Sequence, residues 1–151
     1  MSVLGIRCSN KDFTYAVMTG SKKSPDVQYC ALVAVPKNFS RPRLLYWMVQ
    51  EIEELIEKHG TEKVVMKASE GPSRGKPYAE RVELEAAVYI AGGKNGMSGI
   101  FKKVKSTIAK DLGLKGRGHY LQTELDTSVI PMFDSKSDKE KEAILAGWSE
   151  L

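Results

Sequence analysis

The chain is short of cysteine and histidine, with two of each in 151 residues. A disulfide framework or a multi-ligand zinc site needs more, and His59 and His119 lie far in sequence from Cys8 and Cys30. Both cysteines sit in apolar, strand-like stretches, where a free thiol behaves as a small buried hydrophobe. Long apolar runs are missing too: none approaches the roughly 18 residues of a membrane span. Met1 to Gly5 is too short and uncharged for a secretory leader, so a cytoplasmic protein without a membrane partner is expected. Internal repeats and low-complexity tracts are absent. So are the common cofactor and nucleophile motifs. Gly71-Pro72-Ser73-Arg74-Gly75-Lys76 lacks the glycine spacing and the following Ser/Thr of a P-loop. Gly113, Gly116 and Gly118 do not make a dinucleotide fingerprint, and neither histidine has the neighbours of a catalytic triad.

What remains is an ordinary globular composition, 42% hydrophobic and 28% charged, which argues against wholesale disorder and for one domain over residues 1–151. Net charge is +4, and its placement is uneven. From Lys94 to Arg117 seven basic residues face one acid, Asp111, a local excess of +6 that leaves the rest of the chain at −2.

Val3–Cys8, Phe13–Thr19 and Val27–Val35 read as three strands joined by polar turns. Ser40 as N-cap, Pro42 in the first turn and Leu45, Met48, Ile52, Leu55 and Ile56 on one face predict a helix that stops at Gly60. Lys63–Ala68 reads as a fourth strand. After a Pro/Gly-rich loop, Tyr78–Ala91 reads as a helix turning Ala79, Val82, Ala86, Tyr89 and Ile90 inward and ending at Gly92-Gly93. Gly99–Val104 is a fifth strand, followed by a short helix capped by Ser106. Residues 113–136 read as an irregular insertion, and Ser137 with Glu140 forms a capping box for a last helix reaching about Trp148. The order predicts an α/β fold: a mixed five-stranded sheet, its three leading strands antiparallel, flanked by helices.

That order is also the order of the RNase H-like superfamily, and several segments resemble its RuvC-type branch. Val3-Leu4-Gly5-Ile6 resembles the family's opening strand, which an aspartate normally follows; here the next residue is Arg7. Glu70, past the fourth strand, occupies the place of the second carboxylate. Val104-Lys105-Ser106-Thr107-Ile108 resembles the fifth-strand exit, where a lysine and its neighbours face the DNA backbone. Lys139 to Ile144 resembles the last helix, which normally carries two acids three residues apart. Glu142 matches one; Lys139 stands at the other, with Asp138 beside it. The pattern is similar, too, to a family of small bacterial proteins whose RNase H-like domain has a degenerate catalytic site and a basic loop like Ser69–Lys76. The resemblance covers residues 1–112 and 137–151.

The resemblance implies two-metal phosphodiester chemistry with Mg²⁺ or Mn²⁺ if the site is active, carried by Glu70, Asp138 and Glu142. Arg7 offers no lone pair and stays cationic, so no resident metal or other cofactor is expected. Arg7 is open to two readings: a counter-ion to Glu70 or Glu142, or a side chain snorkelling to the surface. Glu70 is a ligand or a solvated loop acid; Asp138 has the helix dipole to explain it, and Asp12 lies in a turn. Arg74, Lys76, Lys102, Lys103, Lys105, Ser106, Thr107 and Lys110 are the candidate nucleic-acid contacts, against the plainer reading of a solvated basic face. Tyr78 and Tyr120 are candidates for stacking on unpaired bases. Three functions stay open: a degenerate domain binding DNA or RNA, a metal-dependent nuclease, and a protein-interaction module. The last would form a homodimer through the Tyr78–Ala91 helix or use a partner loop containing Tyr120, Ile130 and Phe133.

Overall fold

Alternation along the first strand decides the layering of the molecule. In β1 (Val3–Cys8), Leu4, Ile6 and Cys8 join one apolar core, while Val3 joins a second on the other side of the sheet. The computed structural model describes residues 1–70, 79–115 and 118–151. β2 (Asp12–Ser21) pairs antiparallel with β1, and β3 (Ser24–Ala34) antiparallel with β2. β4 (Lys63–Lys67) and β5 (Ile100–Lys103) add in parallel, giving the order β3-β2-β1-β4-β5. The sheet is therefore mixed and five-stranded, with three leading antiparallel strands, as the element order predicts.

Helix α1 (Arg41–His59) covers the first core with Leu44, Met48, Val49, Ile52 and Ile56, and ends on left-handed Gly60. Ser40 precedes it without a side-chain cap bond. Helix α2 (Ala79–Lys94) departs from expectation twice. It runs through Gly92 and Gly93, because a Cβ at Gly92 would fall on the Ile100 side chain; the glycine serves close packing and does not stop the helix. Its inward face carries Leu84, Ala87, Val88 and Ala91 together with Arg81 and Glu85, whereas Val82, Tyr89 and Ile90 are exposed. Glu85 is fully buried and takes Arg81 and Lys102 as counter-ions. A charged pair one turn apart thus sits on the buried face, inverting the apolar pattern.

The second core lies under α5 (Asp138–Trp148), started by the expected Ser137–Glu140 capping box. Helix α3 (Lys105–Asp111) begins one residue before Ser106, which therefore does not cap it. Where described, the stretch read as an irregular insertion is more regular than its sequence implies: residues 118–136 hold a helical turn, α4 (Tyr120–Thr123), and a 3-10 turn at Phe133–Ser135. Cys8 and Cys30 are free; Cys8 is buried, and burial aided by Glu85 pushes its thiol up to about 12. Cys30 is half-buried. Among the described residues, no helix is long and apolar enough to cross a membrane.

Candidate functional site

Three parallel strands end side by side, and each presents a cation to the α5 face. Gly5 lies opposite Val65, and Val65 opposite Phe101. Two residues further along, on the same face, come Arg7, Lys67 and Lys103, with Lys67 directly opposite Lys103. Gly5 lets α5 settle onto β1 at this point: a Cβ there would fall on the Ala143 carbonyl oxygen. The close approach brings Glu142 over Arg7.

Each cation is met by carboxylate. Arg7 Nε donates to Glu142 Oε2 at 2.8 Å, and Arg7 also donates to the Ser9 hydroxyl. Lys67, nearly buried, donates to Glu70 Oε2 and to the Ala68 carbonyl oxygen, both at 2.6 Å. The second Glu70 oxygen accepts the Lys105 backbone N–H at 3.2 Å, so Glu70 itself takes the anion position at the start of α3. Partial burial pushes the Glu70 carboxyl upward, but the hydrogen bond and charge of Lys67, with the Lys105 N–H, bring it below its ordinary value. Lys103, 6% exposed, donates to Asp111 Oδ2 at 2.7 Å, Glu150 Oε1 at 2.6 Å and Ser149 Oγ at 3.1 Å.

The remaining candidates divide by position. Lys102, expected on a nucleic-acid face, is exposed but pairs with buried Glu85, whereas Lys103 is buried among its acids. Ser106, Thr107 and Lys110 are exposed and share a shallow hollow with Leu114 and Lys115. Asp12 pairs with Lys139 at 2.7 Å, one turn of α5 before Glu142. Asp138 is exposed on the first turn of α5. Arg74, Lys76, Tyr78 and Arg117 lie outside the described residues. Tyr120 is half-buried, its ring against that of His119.

Beside this row opens a cavity of about 390 Å³. Asp138 and Glu142 from α5 line it, as do Lys67 from the end of β4 and Lys105 from the start of α3. Lys67, Lys141, Gln122 and Thr127 escaped the sequence reading. Lys67 was legible there: it follows Val65 with strand periodicity onto the face that Gly5 and Arg7 occupy. Gln122 and Thr127 carry no such signal, since their place depends on how residues 118–136 fold over α5.

A divalent pair needs several oxygen ligands converging on it. Glu142 is bonded to a guanidinium and Glu70 to an ammonium and a backbone N–H. Among the described residues, no three His, Cys, Asp or Glu side chains gather as a metal site. The residues present do not fit such a pair.

No family model and no curated protein matches the sequence. Solved structures do match. RuvC from Thermus thermophilus superimposes with a TM-score of 0.75 at 12% identity, over 99% of this chain and 92% of that one. The same protein in complex with a Holliday junction substrate gives 0.72 at 11%, covering 99% and 91%. The yeast mitochondrial Holliday junction resolvase gives 0.65 at 16%, covering 97% and 76%. The chain has the RuvC-like fold of the RNase H-like class. In this RuvC-like domain, Arg7 and Lys67 occupy the carboxyl ends of the two central parallel strands, and the nearby acids serve as their counter-ions.

Proposed function

We propose that this RuvC-like domain binds nucleic acid without cutting it. The observation that carries the reading is the reversed sign of the strand-end row: Arg7 and Lys67 neutralise Glu142 and Glu70, the carboxylates a metal-dependent nuclease would leave for its ions. The similarity of the fold to a resolvase seen with a Holliday junction substrate supports DNA as a partner. The exposed cations of α3 and the segment after it, Lys110 and Lys115, flank the hydroxyls of Ser106 and Thr107 and suit a phosphate backbone. Lys105 extends the same basic surface in this reading, and Arg74 and Lys76 stay candidate contacts by sequence; Lys102, paired with Glu85, and buried Lys103 drop out. Free cysteines suit a reducing compartment such as the cytoplasm.

Fluorescence anisotropy with labelled four-way, duplex and single-stranded substrates, in EDTA and at low salt, tests the proposal. Binding is expected, falling linearly in log–log form as salt rises. Lys110→Glu with Lys115→Glu should weaken it at least tenfold. No binding to any substrate would overturn it. Cleavage in Mg²⁺ or Mn²⁺ that Glu70→Gln abolishes would establish the nuclease reading instead. One observation favours interaction with protein as a second reading: Val82, Tyr89 and Ile90 of α2 and Tyr46 of α1 expose an apolar strip suited to a second copy of the chain.

A further inference from the structure

We infer that the cavity beside the cation row binds a single nucleobase together with its attached phosphate. The inference rests on the nucleic-acid reading for its source of bases, and deepens it by naming what enters the site.

The lining sorts the possible ligands by chemistry. Ile108 of α3, Leu121 of α4, Leu125 just after it and Phe133 of the turn before α5 give apolar lining. Gln122 and Thr127 add an amide and a hydroxyl, each able both to donate and to accept. Formal charges are balanced. Lys67 is matched by Glu70 and Glu142 by Arg7, leaving Lys105 and Lys141 against Asp134 and Asp138. A balanced lining gives no net pull on a bare anion or a free cation. A wholly apolar ligand would leave the half-buried Thr127 hydroxyl without a partner. A planar heterocycle meets both demands: its faces lie on the apolar walls, and its donor–acceptor edge meets Gln122 and Thr127. The phosphate it carries then falls to Lys105 and Lys141, and Lys141 also lies 5.7 Å from the centre of the Phe133 ring, steadying that wall. At about 390 Å³ the cavity is near the lower end of ordinary ligand pockets, roughly 300–1,000 Å³, room for one nucleotide unit and not for a stacked pair. A base in an intact duplex cannot enter; one at a junction, a strand end or in a single strand can. A free mononucleotide offers the same chemistry.

Two measurements distinguish the sources. Adenosine, guanosine, cytidine and uridine monophosphates are titrated into the full chain while backbone amide NMR shifts are followed. Separately, single-stranded and four-way-junction DNA carrying 2-aminopurine at an unpaired position is followed by its fluorescence. Expected are saturable shifts clustered at Leu121, Gln122 and Thr127 with at least one mononucleotide, and a fluorescence change on DNA binding. Thr127→Trp, which fills the cavity from a half-buried loop position, should abolish both. Gln122→Ala, at an exposed position where folding is not at stake, should weaken both about five- to tenfold. Mononucleotide binding without DNA binding supports the pocket and overturns the nucleic-acid reading. DNA binding unchanged in both variants, with no mononucleotide shifts, overturns the pocket and leaves that reading standing. No binding in either arm overturns both.

Discussion

Arg7 sits in a bidirectional bargain with Glu142: each side chain is about one-fifth to one-quarter exposed, and neither would be comfortable there alone. Arg7→Asp removes the cation and sets a second carboxylate beside Glu142, close to the Lys67–Glu70 pair. The variant should lose about 2 kcal/mol of stability, less than the roughly 3–5 of a fully buried broken pair. Millimolar Mn²⁺ should then raise its melting temperature, since an ion that binds only the folded state stabilises it by linkage. The parent protein should show no such rise; an equal rise in both would mean that acids near the row already hold metal. Acid acts on the same groups. Glu70 and Glu150 are held below their ordinary range, Glu150 because hydrogen bonds and charge from Lys103 and Lys63 outweigh the upward push of partial burial. A depressed folded-state pKa favours the ionised form. The stabilisation is fully present above the unfolded carboxyl value of about 4.3 and is lost as pH falls through the lower folded values. Melting temperature should therefore hold level above about pH 5 and drop below about pH 4. Glu150→Gln should lower the plateau and make that acid drop shallower, as read by circular dichroism melts across pH.

At the level of elements, the site depends on how closely α5 lies on β1. The sequence makes that contact possible with Gly5 on the strand and Gly147 on the helix, where a Cβ would press on the Met18 side chain. Gly5→Ala should push α5 outward, cost about 1–3 kcal/mol as an overpacking change, and lengthen the Arg7–Glu142 contact. Denaturant melts measure the first effect. The second shows as partial recovery of the Arg7→Asp penalty in the double variant: if the pair is already broken, the two losses add to less than their sum. The same helix illustrates what was legible beforehand. Its capping box, the antiparallel pairing of the three leading strands and the apolar face of α1 follow from local pattern and periodicity, which burial against a sheet obeys. Helix α2 was misread because Arg81 and Glu85 look like solvent-facing residues, and only Lys102, arriving from β5, makes their burial tolerable. Lys103 departs from the surface reading for the matching reason: a run of lysines reads as a surface until the acids that meet it, Asp111 and Glu150, are placed. The Arg7–Glu142 partnership was one of the settings left open by sequence, and the residues between α3 and α5 that close the cavity carried no pattern at all.

Across the whole molecule, charge and apolar surface point in different directions, and this separates its two candidate contacts. The cations proposed to meet phosphate, Lys110 and Lys115, lie on α3 and the segment after it, whereas the exposed Tyr89 and Ile90 lie on α2, beside Tyr46, Leu45 and Val49 of α1. The strip between the two helices is almost wholly apolar apart from Glu83 and Lys94 at its margins. Self-association there would be driven by apolar burial and survive added salt, while nucleic-acid binding would weaken as salt displaces the protein from phosphate. Sedimentation equilibrium at low and high salt should show a concentration-dependent dimer little changed by salt. Ile90→Asp should abolish it, because a carboxylate at the centre of an apolar contact is desolvated without a partner. If the variant keeps its affinity for a single DNA end, the two surfaces act independently. If the affinity falls with the dimer, two copies must grip one substrate together. A dimer that dissolved in salt and survived Ile90→Asp would place the contact elsewhere, on the charged face.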